Sequence, residues 1–240
     1  MPATISPACR PRRLVLPGAA LELARAAALA LALALAPGGG AATAAELTVA
    51  VADQAGRPVV DAVVMLEPAA GQGTGAWQAP PAVMRQQGML FDPFVLPVRV
   101  GATVSFPNLD DFRHHVYSFS PARRFELRLY GKDETNTERF DKAGVVALGC
   151  NIHDNMLSYI LVTAHPAYAV TDAAGVARFA GLPAGPWATF AWHPDLDGER
   201  GERGGPPVAL AEDAVAAAAI SVSLRAARRT QGPPQEGAYR

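Results

Sequence analysis

Between Cys150 and Met156 the chain reads Cys-Asn-Ile-His-Asp-Asn-Met, which sets a thiol, an imidazole and a thioether at three-residue intervals. All three are soft or borderline metal ligands. A thiolate and two imidazoles in one plane, with a weak thioether on the axis, is the ligand set of a blue-copper electron-transfer site. The spacing suits one loop: Cys150 closes a strand, two residues turn the chain so that His153 faces the same centre, and two more bring Met156 back. The plain alternative is a buried cysteine acting as a small apolar side chain, which would be the default without His153 and Met156.

The second imidazole must come from elsewhere. The candidate segment is Phe106-Pro-Asn-Leu-Asp-Asp-Phe-Arg-His-His-Val116, which carries the pattern Asn108-x-Asp110-x-x-x-His114 and a second histidine, His115. Asn108 and Asn151 are candidates for hydrogen bonds that orient the ligands; for each the alternative is an ordinary turn asparagine.

The elements that must position these residues begin after a leader. Arg10, Arg12 and Arg13 precede a run of Ala and Leu from Ala26 to Ala36, and Thr43-Ala-Ala45 offers small residues for cleavage. That order of parts predicts a secretory signal and a periplasmic location, and the apolar run is too short for a membrane span. Removing the leader takes four basic and one acidic residue from totals of 21 and 22, leaving 17 against 21 and a net charge near −4. This is no footprint for nucleic acid. Of the two cysteines, Cys9 leaves with the leader. A lone thiol in an exported chain has no internal disulfide to form, and metal ligation gives it a purpose.

Beyond the leader, apolar residues alternate and turn signals recur, which predicts an all-β protein built of sandwiches. Strands are expected at Leu47–Val51, Val59–Leu66 after a turn at Asp53–Pro58, Val95–Val100, Thr103–Phe106, Val116–Phe119, Phe125–Leu129, Val145–Leu148 and Tyr159–Thr163. Ala209 to Ala219, alanine-rich, is expected to be a loop or a single surface helix. The tail after Leu224 is polar and breaker-rich, hence expected to be disordered. His165 and His193 lie away from the ligand pattern and are expected to be structural. Asp195 to Gly205 lacks the ligand order of a calcium loop and is expected to be a solvated, mobile loop. Arg123, Arg124 and Lys132, near Tyr130, are expected to lie on a solvated face, with a docking patch as the alternative. The chain shows no nucleophile–base arrangement, phosphate-binding glycine loop or haem-attachment motif, so no enzymatic activity is expected.

Two resemblances sharpen this reading. Asp53-Gln-Ala-Gly-Arg-Pro-Val-Val-Asp-Ala-Val-Val64, together with Thr171-Asp-Ala-Ala-Gly175, Phe179 and Leu182-Pro-Ala-Gly-Pro-Trp187, resembles the carboxypeptidase regulatory-like (transthyretin-like) sandwich, Trp187 replacing a tyrosine. Its halves are here separated by about 90 residues. The resemblance implies an inserted domain, with a signal at 1–45, sandwich halves at 46–80 and 166–226, the insert at 81–165 and a tail at 227–240. Met89-Leu-Phe-Asp-Pro-Phe-Val-Leu-Pro-Val-Arg-Val-Gly-Ala-Thr-Val-Ser-Phe-Pro-Asn108, His114 and the Cys150 loop resemble the plastocyanin-like cupredoxins, notably those called methylamine utilization proteins, with an amicyanin-like loop.

That second resemblance implies a Greek-key sandwich holding one copper ion through His114, Cys150, His153 and Met156. It also implies single-electron transfer to transient protein partners that dock on apolar surface around His153. In the family pattern asparagine follows the strand histidine and ties the ligand loops; here His115 stands there, as a poorer tie or a competing ligand. Gly149 stands where many cupredoxins have an aromatic residue, leaving either close strand packing or room for altered copper geometry. Copper storage or delivery without redox turnover, and an adhesion or scaffold module, are the alternative functions.

Overall fold

The computed structural model describes residues 44–197, 201–225 and 231–232. The expected signal segment therefore lies outside the described residues except for its last two positions. The protein is all-β: the described residues contain no helix, so none is long and apolar enough to cross a membrane.

Two strands come first, β1 (Ala45–Asp53) and β2 (Val63–Pro68). A middle group follows: β3 (Arg85–Gln87), β4 (Leu90–Asp92), β5 (Val95–Arg99), β6 (Ala102–Pro107), β7 (His114–Ser120), β8 (Arg123–Tyr130), β9 (Thr135–Phe140), β10 (Gly144–Gly149) and β11 (Leu157–Thr163). The last group is β12 (Ala167–Val170), β13 (Val176–Leu182), β14 (Gly185–Trp192), β15 (Arg203–Gly204), β16 (Val208–Leu210) and β17 (Val215–Val222).

The first and last groups interleave. One sheet runs β13-β1-β17, the other β12-β2-β14-β15, with β16 also on β14. Leu47, Val49 and Val51 alternate inward from β1 and meet Val64, Leu66, Phe179, Trp187 and Ile220 in one core. The middle group forms a second sandwich, in which a sheet ordered β5-β11-β10-β7-β8 opposes the β6–β9 pair. Its core gathers Phe91, Phe106, Val116, Phe140, Val146, Leu148 and Ile160.

Strand β2 explains its own unbroken apolar run. Period-two alternation sends Val64 and Leu66 into the first core, while Val63 and Met65 point the other way, onto Val95 and Leu161 of the middle sandwich with Tyr168 and Trp192. A strand buried on both faces loses the polar half of its pattern. In β11 the same rule sends Ile160 and Val162 to one core and Leu161 to the other.

Four expectations are corrected. The strand expected from Val59 begins only at Val63, because Asp61 takes φ 60° and breaks the run. The alanine-rich stretch contributes β16 and β17, and β17 lies parallel to β1 with Leu47 opposite Ala216. Alanine's helix preference amounts to only a few tenths of a kcal/mol per residue, so an available strand partner overrides it. The far end of the Asp195–Gly205 loop forms β15, paired with β14. In the tail expected to be disordered, Gln231 and Gly232 make hydrogen bonds to the middle sandwich; its other residues past Arg225 lie outside the described residues.

Candidate metal centre

His114 opens β7, and strand alternation decides its direction. Val116 and Ser118 face inward and are buried, so His114, in phase with them, faces inward as well. His115 falls on the opposite face, where its Nε2 meets Glu126 Oε1 at 2.9 Å and its ring lies beside Tyr117. A bulge between β7 and β8, where Tyr130 rather than Leu129 stands opposite His114, bends the pair at this end. The two histidines are therefore not equivalent. His115 does not compete for the site.

Cys150 follows β10 directly, and the antiparallel β10–β11 pair closes the loop that carries His153 and Met156. One ligand atom from each of His114, Cys150 and His153 lies within 4.8 Å of the others. Cys150 Sγ is 3.8 Å from His153 Nδ1. It is the only such group found among the described residues. Met156 is buried in the same core as Cys150, and its N–H donates to the His153 carbonyl at 3.0 Å, which makes the loop a tight turn.

Charged and polar neighbours set the electrostatics of the cluster. His114 Nε2 lies 2.7 Å from Asp110 Oδ2, and Asp110 also accepts N–H bonds from Gly88 at 2.7 Å and Met89 at 3.0 Å. With their Nε2 atoms committed, His114 Nδ1 and His115 Nδ1 are both buried without a hydrogen-bond partner, although buried polar atoms are nearly always satisfied; of the two, only His114 lies in the His–Cys–His group. The carboxylate–histidine arrangement at His114 fixes its tautomer. Burial pushes the Cys150 thiol up, but the His114 ring and the backbone N–H groups of His115, Ile152 and His153 outweigh it and lower its pKa. Burial works against charge on His114 too, yet Cys150 and Asp110 prevail and raise its pKa. For His153 burial and the neighbouring His114 lower it. Thiolate, two imidazoles and a thioether fit copper.

Other residues divide into those that serve this site and those that do not. Buried Asn108 donates to the carbonyls of Phe112 at 2.8 Å and Tyr130 at 3.0 Å, and accepts from the Asp110 N–H at 3.0 Å; it shapes the loop that carries Asp110. Asn151 is exposed. A methyl group on Gly149 would lie 2.7 Å from Tyr117 Cζ, so the glycine exists for close packing: Tyr117, directly across the ladder, covers the backbone with its ring. Asp110, Tyr117, Asn155 and the Gly88–Met89 turn were not anticipated as parts of the site. Only Asp110 had a signal, its place in the Asn-x-Asp-x-x-x-His pattern. His165 contacts Glu67 and Glu202, and His193 Nδ1 accepts the Asp195 N–H; neither belongs to the cluster. Arg123 and Lys132 are paired with Glu138 and Asp111.

Beside His153 on its loop, apolar Ile152 and polar Asn151 and Asp154 are exposed. Phe112 packs its ring 5.6 Å from His153 and 5.2 Å from His114, and Phe112, Leu109 and Ile152 are 40–44% exposed.

Among solved structures, a copper-containing nitrite reductase from Thermus scotoductus is 30% identical over 40% of this chain and 25% of its own length, with a TM-score of 0.34. The chain thus spans about a quarter of that protein. A purple cupredoxin from Nitrosopumilus maritimus is 19% identical over 34% of this chain and 99% of its own, at a TM-score of 0.31. An amicyanin variant in a reduced Cu(I) form is 21% identical over 42% and 98%, at 0.33. No protein-family profile and no curated protein matches the chain.

Proposed function

We propose that this chain is an exported, periplasmic copper protein that carries single electrons between protein partners, with no bond chemistry of its own. His114 through Nδ1, Cys150 as thiolate and His153 would hold the ion, with Met156 as a weak axial ligand. When bound, copper supplies the exchange of one electron between its Cu(I) and Cu(II) states. The chain's own residues do the rest. Asp110 holds the His114 ring in one tautomer and orientation. The core around Cys150 and Met156 keeps water out. Leu109, Phe112 and Ile152 offer a small apolar face beside His153, suited to the brief, small-area encounters of redox partners. The observation that carries the reading is the buried His114 Nδ1, left without a partner beside a cysteine and a second histidine.

In the same reading the copper sandwich is an insertion within a regulatory-like sandwich. Support comes from the pairing of β2 with β14, where Val63 stands opposite Trp192 although the middle sandwich lies between them in the chain.

The test is to load the protein with Cu(II) and record absorption and paramagnetic-resonance spectra. An intense visible thiolate-to-copper band is expected, absent in Cys150→Ser. A Cys150→Ser protein of equal colour would remove the proposal, and a coloured protein that releases copper faster than it exchanges electrons would favour storage or delivery.

A further inference from the structure

The ligand-bearing segments are tied together at one small turn. β3 and β4 form a hairpin with Gln87 opposite Leu90, so its loop is only Gly88 and Met89. Both take left-handed backbone angles, φ 64° and 56°, as a two-residue hairpin loop of this hand requires. Glycine does so freely. Methionine does not, and such a residue persists where its surroundings over-determine it. The surroundings here are the two halves of the metal centre. The Met89 N–H donates to Asp110, which holds His114. The Met89 carbonyl accepts from Asn155 Nδ2 at 2.9 Å, and Asn155 lies between His153 and Met156.

The same hairpin is capped from late in the chain. The Gln86 carbonyl is taken by the Leu109 N–H, while the Phe91 N–H and carbonyl face the open edge of β4. Both are satisfied by one side chain. Phe91 N–H donates to Gln231 Oε1 at 2.7 Å, and Gln231 Nε2 donates to the Phe91 carbonyl at 2.6 Å. A primary amide thereby takes the place of a neighbouring strand. The next residue continues to the ligand loop, where Asn155 Nδ2 also donates to the Gly232 carbonyl at 2.8 Å. Asn155 is thus held by the hairpin turn and the tail together.

We propose that Gln231 and Gly232 form a strap that positions the metal-ligand loop, acting through Asn155 and the Gly88–Met89 turn, with Gln231 as its positioning residue. The strap takes over the tying role that His115, turned away toward Glu126, does not perform. Its consequence for the metal rests on the copper reading above; its consequence for the loop does not.

The experiment therefore starts with the metal-free full-length chain. Amide hydrogen exchange is measured in the unaltered protein, in Gln231→Ala, in Asn155→Ala and in the double variant. Gln231→Ala should speed exchange at Phe91 by about five- to tenfold, the scale of one lost hydrogen bond. It should also speed exchange at Met156, inside the ligand loop and on the far side of Asn155. The double variant should exchange at Met156 no faster than Asn155→Ala alone, because both act through one chain of contacts. With copper bound, loss to a Cu(I) chelator should be about tenfold faster in Gln231→Ala, as for other groups that support ligands from outside. Faster exchange at Phe91 with none at Met156 would overturn the positioning role, as would fully additive effects at Met156. No change at Phe91 would remove the strap. If the unaltered protein takes up no copper, the functional reading fails while the exchange data still decide this one.

Discussion

Asp110→Asn separates a carboxylate that supports a metal ligand from a polar residue that merely fills a loop. The substitution keeps the shape and removes the charge. In the native protein one carboxylate oxygen serves Gly88 N–H, and the other serves Met89 N–H and His114 Nε2. An amide has one acceptor oxygen, so in either orientation its NH2 group faces at least one donor. The Asp110 side chain is only 10% exposed, and water gives little relief. The best orientation keeps Met89 and His114 and sets the amide nitrogen against Gly88 N–H, at a cost of about 1–3 kcal/mol for the unmatched donor. For a chain of this size, 2 kcal/mol corresponds to a fall in Tm of roughly 4–8 °C. Copper affinity should fall by about ten- to a hundredfold, because His114 is less firmly oriented and a less basic ligand. The reduction potential should rise, since a negative charge that favours Cu(II) is gone. Calorimetry of the metal-free protein, chelator competition and redox titration read the three quantities separately. An Asp110→Asn protein with native Tm and native copper affinity would show that the contact seen here does not support the ligand.

Three further outcomes are expected. Met156→Gln should retain copper and the thiolate band but lower the reduction potential, because an oxygen donor on the axis favours Cu(II); an unchanged potential by voltammetry would exclude Met156 from the ligand set. His114→Ala should abolish the band, whereas His115→Asn should keep it and shift stability by under about 1 kcal/mol, since the Glu126 partner is largely exposed and such pairs contribute little; the reverse spectra would show the pair to be misassigned. The pKa of His165 is raised above 6.5, chiefly by Glu202. Its contribution to stability is therefore fully present below about pH 6.5 and lost as pH rises through the folded value. An NMR titration of His165 should give a midpoint above 6.5 that falls in Glu202→Gln, and an unshifted midpoint would refute the pairing.

Much of the molecule was legible in one dimension, for reasons that are local. The Cys150–Met156 heptapeptide sits in a short loop between paired strands, so its spacing nearly dictates that its ligands converge. The preference for His114 over His115 rested on the cupredoxin resemblance, and the structure supplies a physical reason: with Val116 and Ser118 inward, alternation leaves His114 facing the cluster. Where the local signal was weak it misled. The alanine-rich stretch became β17 because β1 offered it a partner, and the run expected to start at Val59 was cut by the backbone angle of Asp61.

The residue types at the centre, their spacing and the all-β character were thus decided by the sequence alone. The tertiary structure decided what holds the centre in place. Tyr117 covers Gly149 only because β7 and β10 are neighbours, and Gln231 reaches Phe91 across 140 positions of chain. The tie at Met89 was beyond any motif. It uses a backbone N–H and a backbone carbonyl, which nearly every residue carries, so the side-chain alphabet does not record it and only the folded path of the chain brings Asp110 and Asn155 to it.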